Sequence, residues 1–164
     1  MVEGRSVRAP ASKIMTWSAA REWRDSVKGD VVFTNGVFDL LHHGHIDVIN
    51  EARRQGAALI VGINSDESVR RLKGAERPRT TAPDRAYVLA ALEAVDAVVV
   101  FEEDTPLEVV EKLQPDVIVK GGDYSAQTIV GADVVRARNG RVVVVPLVPG
   151  HSTTSIIEKL RAGI

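Results

Sequence analysis

Five short apolar runs, each followed by a stretch with helical spacing, constrain this chain more than any other feature. They are Val31-Val32-Phe33, residues 57–63, residues 97–101, Val117-Ile118-Val119 and residues 142–145. The runs are continuous rather than alternating, the pattern of strands covered on both faces, as in a parallel sheet. The intervening stretches read as helices: 14–27, with Ile14, Trp17, Ala20 and Val27 at helical spacing and Gly29 as a stop; 46–54, ended by Gly56; and 83–93, with Pro83 in its first turn. They continue with 106–113, closed by Pro115; a partly helical 127–138, ended by Asn139-Gly140; and a last helix over 155–160. The expected fold is α/β, a doubly wound parallel sheet with helices on both faces. Such sheets bind ligands beyond the carboxyl ends of their strands, near a switch in strand order.

Length and composition narrow the classes. The 164 residues suit one domain, with 1–29 as a lead-in and helix and 30–164 as the single domain proper. The net charge of −1 gives no overall pull toward nucleic acid or an anionic membrane, so any anion site must be built locally. With no cysteine, disulfides and thiolate zinc sites are excluded. No apolar run is long enough to span a bilayer, and residues 1–10 are charged and lack an apolar signal core, so a cytoplasmic location is expected.

The loop after the first strand carries the densest chemistry: Thr34-Asn35-Gly36-Val37-Phe38-Asp39-Leu40-Leu41-His42-His43-Gly44-His45. Gly36 permits close approach of backbone and ligand, and Gly44 a sharp turn into the helix. Free N–H groups and partial positive charge at a helix N-terminus suit phosphate. His42 and His45 fall on one face of the first turn, where two imidazoles can point at the same anion. A histidine pair at this spacing also fits a metal, but only Asp39 and Asp47 lie close in sequence as further ligands. Asp39 reads as a residue that fixes the loop, or one that orients a histidine.

Two later segments follow strands in the same way. Lys120-Gly121-Gly122-Asp123-Tyr124 comes directly after the fourth run. Lys120 can lean into the crevice and neutralise phosphate, with Gly121 allowing backbone approach and Asp123 able to bind a hydroxyl; the plainer reading is a turn. Gly150-His151-Ser152-Thr153-Thr154-Ser155 precedes the last helix. One hydroxyl there would be an N-cap; four exceed what capping requires and can donate to phosphate oxygens. His151 is given no role. Arg70, Arg71, Lys73, Arg77 and Arg79 crowd a stretch that Gly74 and Pro78 mark as a loop: either a solvated basic face or a loop that closes over phosphates.

Thr34–Asp39 followed by His42-His43-Gly44-His45 resembles the signature of the HxGH nucleotidyltransferases, a Rossmann-like superfamily, from about the first strand to the last helix. The resemblance implies that Lys73 and neighbouring arginines approach phosphate, that Arg85 occupies a basic position of the nucleotide site, and that Ser152, Thr153 and Thr154 bind phosphate. Asn64-Ser65-Asp66, Arg71-Leu72-Lys73-Gly74, Phe101-Glu102-Glu103-Asp104-Thr105-Pro106 and Lys120–Tyr124 are most similar to adenylyltransferase domains of ADP-heptose synthases. That similarity implies transfer of AMP from ATP to heptose 1-phosphate, Mg²⁺ carried mainly by substrate phosphates, and a homodimer. The chain resembles the stand-alone form of a domain elsewhere fused to a sugar kinase. The expected roles are His42, His45 and Lys120 at the transition state, Lys73 on pyrophosphate, Asn35 on the nucleotide or the acceptor phosphate, and Asn64, Ser65 and Asp66 with the loop after the fourth run near adenine. Thr34, Gly36, Phe38 and Gly44 complete the expected binding loop. A cytidylyltransferase acting on glycerol 3-phosphate, a non-catalytic nucleotide sensor and a metal-dependent hydrolase are the alternatives.

Overall fold

A computed structural model of the chain describes residues 8–146 and 152–163; His151 and residues 1–7 of the lead-in lie outside them. The strands are β1 (Val31–Gly36), β2 (Ala58–Asn64), β3 (Ala97–Phe101), β4 (Val117–Gly121) and β5 (Arg141–Val145). The helices are α1 (Trp17–Ser26), α2 (His43–Arg54), α3 (Asp66–Lys73), α4 (Ala82–Ala91), α5 (Leu107–Leu113), α6 (Ala132–Arg136) and α7 (Thr153–Arg161). All strand pairs are parallel, in the order β3-β2-β1-β4-β5. This is the doubly wound sheet that the apolar runs predict.

Successive strand side chains point to opposite faces, so each strand feeds two cores. Val32, Val61, Ile63, Val98 and Val119 pack under α2 and α4, against Ile49, Ala52, Ala86 and Leu89. Val31, Phe33, Ile60, Val99 and Ile118 pack against Ala20 of α1, Val109, Val110 and Leu113 of α5, and Val135 of α6. Burial of both faces explains why the strands read as unbroken apolar runs. It also makes α1 part of the same core rather than an appendage.

The register shows where the sheet opens. β1 pairs with β2 along its whole length, from Val31↔Ala58 to Gly36↔Ile63. With β4 it pairs only at Val32↔Val117 and Phe33↔Ile118. Asp116 closes the amino end of that seam, its carboxylate accepting from Val31 N–H at 2.8 Å and from Arg24 at 2.7 Å. At the carboxyl end the two strands part, which leaves Asn35 and Gly36 on one wall of a crevice and Lys120 and Gly121 on the other.

Several element boundaries differ from those read off the sequence. The first helix begins at Trp17, not residue 14, because Thr16 caps it by accepting from Ala19 N–H at 3.2 Å. Ile14 and Met15 instead run beside Val98 and, with the Trp17 Nε1 bond to the Val100 carbonyl at 2.7 Å, cover the β3 edge. The basic stretch expected as a loop is half helix: Ser65 caps α3, Asp66 and Glu67 fill its first turn, and Arg70, Arg71 and Lys73 its last. That charge order complements the helix dipole. The last helix starts at Thr153, so Ser152 is its cap and Thr153 and Thr154 lie in its first turn.

Gly62 sits mid-strand where a Cβ would fall 2.7 Å from Phe33 Cζ. Gly62→Val therefore overpacks the sheet centre and should cost about 2 kcal/mol, read as a lower urea midpoint; Gly62→Val combined with Phe33→Leu should recover part of the loss.

Candidate functional site

The crevice between the carboxyl ends of β1 and β4 holds the chemistry. A cavity of about 380 Å³ is lined by Thr34, Asn35, Gly36, Phe38, His42, Gly44, His45, Lys73, Lys120, Gly121, Tyr124, Ser152 and Thr153, together with Val48. Four segments far apart in sequence thus meet at one place. Lys120 spans the crevice, its Nζ 3.2 Å from both the carbonyl and the side-chain oxygen of Asn35 and 5.9 Å from the Tyr124 ring centre. Burial pushes the Lys120 ammonium below the usual lysine range, so an anion arriving beside it would relieve an unfavourable desolvation.

The histidine pair has a definite geometry. His42 is the cap residue of α2 and its carbonyl accepts from His45 N–H at 3.0 Å, which closes the first turn. The two imidazoles stack with centres 3.8 Å apart. Phe38, held at φ 49°, presents its ring edge-on to His45 at 5.2 Å. A Cβ at Gly36 would lie 3.0 Å from the Phe38 ring, so any side chain there would have to displace that ring. Burial first, and the neighbouring His42 second, push the His45 imidazole down to about 4, against an opposing backbone hydrogen bond at Leu40. At neutral pH His45 is an uncharged N–H donor, ready to face developing negative charge.

The last helix is tied directly to this loop. Thr153 Oγ1 donates to the Leu40 carbonyl at 3.2 Å. Ser152 Oγ accepts from Ser155 N–H at 3.0 Å as the α7 cap, leaving its own proton to offer a ligand. The N-termini of α2 and α7 therefore face one cavity, the arrangement that anion binding exploits.

Four expected site residues stand elsewhere. Arg85 is 3% exposed and fully committed inward: it donates to the carbonyls of Thr80, Val37 and Asn64 at 3.0, 2.7 and 2.9 Å and to Asp66 at 2.7 Å. It pins the ends of β1 and β2 together. Asp66 is its partner and lines neither the first cavity nor its neighbour. Asp123 is exposed and also lines neither. Thr154 faces an adjacent cleft shared with Lys73, Arg77 and Arg161. Thr153 uses its proton on Leu40, so its contribution to the cavity is backbone and shape.

Asp39 is the loop-fixing residue of the two readings. It is buried and accepts from Arg77 Nε, from Arg79 N–H at 2.7 Å and from Thr80 N–H at 3.0 Å. Burial alone would raise its carboxyl, but the Thr80, Arg77 and Arg79 bonds outweigh that and hold it below the usual carboxylate range. Arg77 is thereby drawn to Asp39. Asp47 pairs with His43 at 3.2 Å. Both carboxylates that a metal reading would need are thus spoken for, and among the described residues no three His, Asp or Glu side chains gather to hold an ion.

Beside the first cavity lies a second of about 370 Å³, which adds Asn64, Leu72, Asp104, Thr105, Pro106 and Thr128 to the shared wall of Asn35, Gly36, Lys73, Lys120 and Tyr124. Asn64 thus lies in the second cavity, its amide nitrogen donating to Ser68 Oγ at 3.0 Å. Tyr124, Asp104, Thr105 and Thr128 were not read from the sequence as functional. Tyr124 lay visibly beside Lys120; the others sit after β3 and β4, where only the sheet order brings them in.

A doubly wound sheet with two helix N-termini, stacked imidazoles and two lysines at its switch point defines an α/β domain with a cavity suited to an anion such as phosphate. The cytidylyltransferase-like family matches residues 33–159, and the chain belongs to that family. It is 59% identical over 133 residues, 81% of its length, to the bifunctional protein HldE of Geotalea uraniireducens. It is 52% identical over 155 residues, 93% of its length, to that of Magnetococcus marinus. The chain spans 27% and 32% of those two relatives, about a quarter to a third of their length. Among solved structures, the lipopolysaccharide core biosynthesis protein of Thermoplasma volcanium superposes with TM-score 0.58 and 27% identity, over 74% of this chain and 98% of that one. The pantoate-beta-alanine ligase of Francisella tularensis superposes with TM-score 0.61 at 15% identity, over 92% of this chain and 78% of that one, a likeness of fold. Among the described residues no helix is long and apolar enough to cross a membrane.

The depressed His45 has a consequence for stability. The unfolded chain protonates this histidine around its ordinary 6.5, the folded chain only near 4. Between those values the unfolded state binds more protons, so stability falls as pH drops from 6.5 toward 4. His45→Gln should flatten that part of the profile, measured as urea midpoints of both proteins at pH 7.5 and 4.5.

Proposed function

We propose that this domain transfers AMP from ATP to D-glycero-D-manno-heptose 1-phosphate, giving ADP-heptose and pyrophosphate. The observation that carries the reading is the convergence of His42, His45, Lys73, Lys120 and Ser152 on one cavity. Every one of these groups can donate a hydrogen bond, as a bound triphosphate requires. The choice of heptose and of ATP is supported by the likeness of residues 101–106 and 120–124 to adenylyltransferase domains of ADP-heptose synthases. The relatives named HldE and the lipopolysaccharide core biosynthesis protein support it further. The product would serve surface-glycan assembly.

The reaction follows from charge and position. A phosphate oxygen of the sugar phosphate attacks the α-phosphorus in line; a new P–O bond forms as the bond to the β-phosphate oxygen breaks, and pyrophosphate leaves. The attacking oxygen is already ionised at neutral pH, so no general base is needed and the protein contributes positioning and charge stabilisation. Lys120 and the shared Asn35 wall stand where the α-phosphate would lie. His42, His45, Ser152 and the α7 N-terminus face the β- and γ-phosphates, with Lys73 on the outer side. The donor set is ammonium, imidazole, hydroxyl and amide, which suits an anion and not a protein-held cation. Mg²⁺ would enter with the nucleotide, bound to its phosphates.

Incubation with ATP or CTP and with heptose 1-phosphate or glycerol 3-phosphate, products read by mass, tests the reading. ADP-heptose and pyrophosphate are expected; CDP-glycerol as the main product would overturn it. His45→Ala should lower kcat by about 10²–10³ with the fold retained.

A further inference from the structure

We propose that Phe38 is a positioning residue for His45: packed on both Gly36 and the imidazole, its ring sets the angle at which His45 faces the phosphate cavity. The proposal rests on the transfer reading above and adds what holds the imidazole in place.

Phe38 has an unusual backbone. Its φ of 49° is a left-handed conformation that bulky side chains rarely adopt. Such a residue persists where its surroundings over-determine it, and these outliers gather at functional sites. Here both chain neighbours are held from outside. Arg85 Nη1 donates to the Val37 carbonyl at 2.7 Å. The Asp39 carboxylate accepts from Arg79 N–H at 2.7 Å and Thr80 N–H at 3.0 Å, and the Asp39 carbonyl from Thr80 Oγ1 at 2.5 Å. With residues 37 and 39 fixed, the side chain of Phe38 is carried inward, where it is 6% exposed.

The ring then meets two close neighbours. The His45 ring centre lies 5.2 Å away at an interplanar angle of 62°, an edge-to-face arrangement. Phe38 Cε2 and Cζ lie 3.0 and 3.2 Å from where a Gly36 Cβ would stand, so β1 comes up against the ring with no side chain between. Phe38 also stands at a boundary. It lines both the phosphate cavity and an apolar cleft of about 390 Å³ formed with Leu40, Leu41, Val88, Ile156 and Leu160. A phenyl ring offers phosphate no hydrogen bond, so its part in the site passes through His45. The ring supplies some of the burial that, ahead of the neighbouring His42, pushes the His45 imidazole down to about 4. The other titratable groups lining the cavity are His42, Lys73, Lys120 and Tyr124, and substitutions at Phe38 leave all four in place.

Phe38→Leu tests the proposal, since leucine keeps the apolar bulk and the same backbone requirement but not the ring edge. It is expected to lower kcat for ADP-heptose formation about tenfold, as misalignment of a group at the reacting centre does, with Kd for α,β-methylene ATP within about twofold of wild type. In the His45→Ala background the same substitution should lower kcat no further, because a residue that acts through His45 has nothing left to position. Phe38→Ala removes cover as well. Its His45 imidazole, followed by NMR in the ligand-free protein, should titrate above the wild-type midpoint of about 4, toward the ordinary 6.5. An equal loss of kcat in the His45→Ala background would overturn the proposal, as would weaker analogue binding with kcat unchanged, or an unmoved His45 midpoint. If wild type forms no ADP-heptose while the midpoint moves as expected, the transfer reading falls and the positioning of His45 stands.

Discussion

The site exists because β1 and β4 pair for two residues and then separate. In a parallel sheet the crossover helices leave adjacent strands on opposite faces only where the strand order reverses. Here α2 leaves β1 toward one face and α6 follows β4 on the other. Lys120 reaches across the gap between the two carboxyl ends to Asn35. That bond stands in for the ladder that has stopped. An ammonium thus rests, partly desolvated, at the base of a polar crevice.

The rest of the site is arranged around that point by residues whose side chains bond to other segments of the chain. Asp39 clamps the 77–80 segment, Arg85 ties Val37 to Asn64, and Thr153 fastens α7 to Leu40. Each joins two segments that the sheet alone would leave independent. The price is a set of buried charges, and each is satisfied: Asp39 by donors from Arg77, Arg79 and Thr80, and Arg85 by four acceptors. Such pairs are costly to break, which suits scaffolding that must hold imidazoles and lysines in fixed places.

The sheet was legible because burial on both faces writes itself as unbroken apolar runs. The phosphate cavity was legible because its parts are local: a glycine-spaced histidine pair after one strand, a lysine after another, hydroxyls before a helix. What could not be read were facts of long-range partnership. Arg85 has the same local surroundings as a surface arginine, and only the fold shows that its guanidinium meets Val37, Asn64 and Asp66. α3 was hidden because it is short and polar, with Val69 its only fully buried apolar side chain and basic residues crowding its end. Asp104 and Thr105 carry no motif of their own; the second cavity appears only once β3 and β4 are placed on either side of the β2–β1 pair.

The central claim is that the 35–45 loop and the α7 N-terminus grip one triphosphate. A crystal structure with α,β-methylene ATP tests it most directly. The account predicts β- and γ-phosphate oxygens within hydrogen-bonding distance of His42 or His45 and of Ser152, with the α-phosphate beside Lys120. A triphosphate bound elsewhere, with the imidazoles and Ser152 making no contact to it, would contradict it.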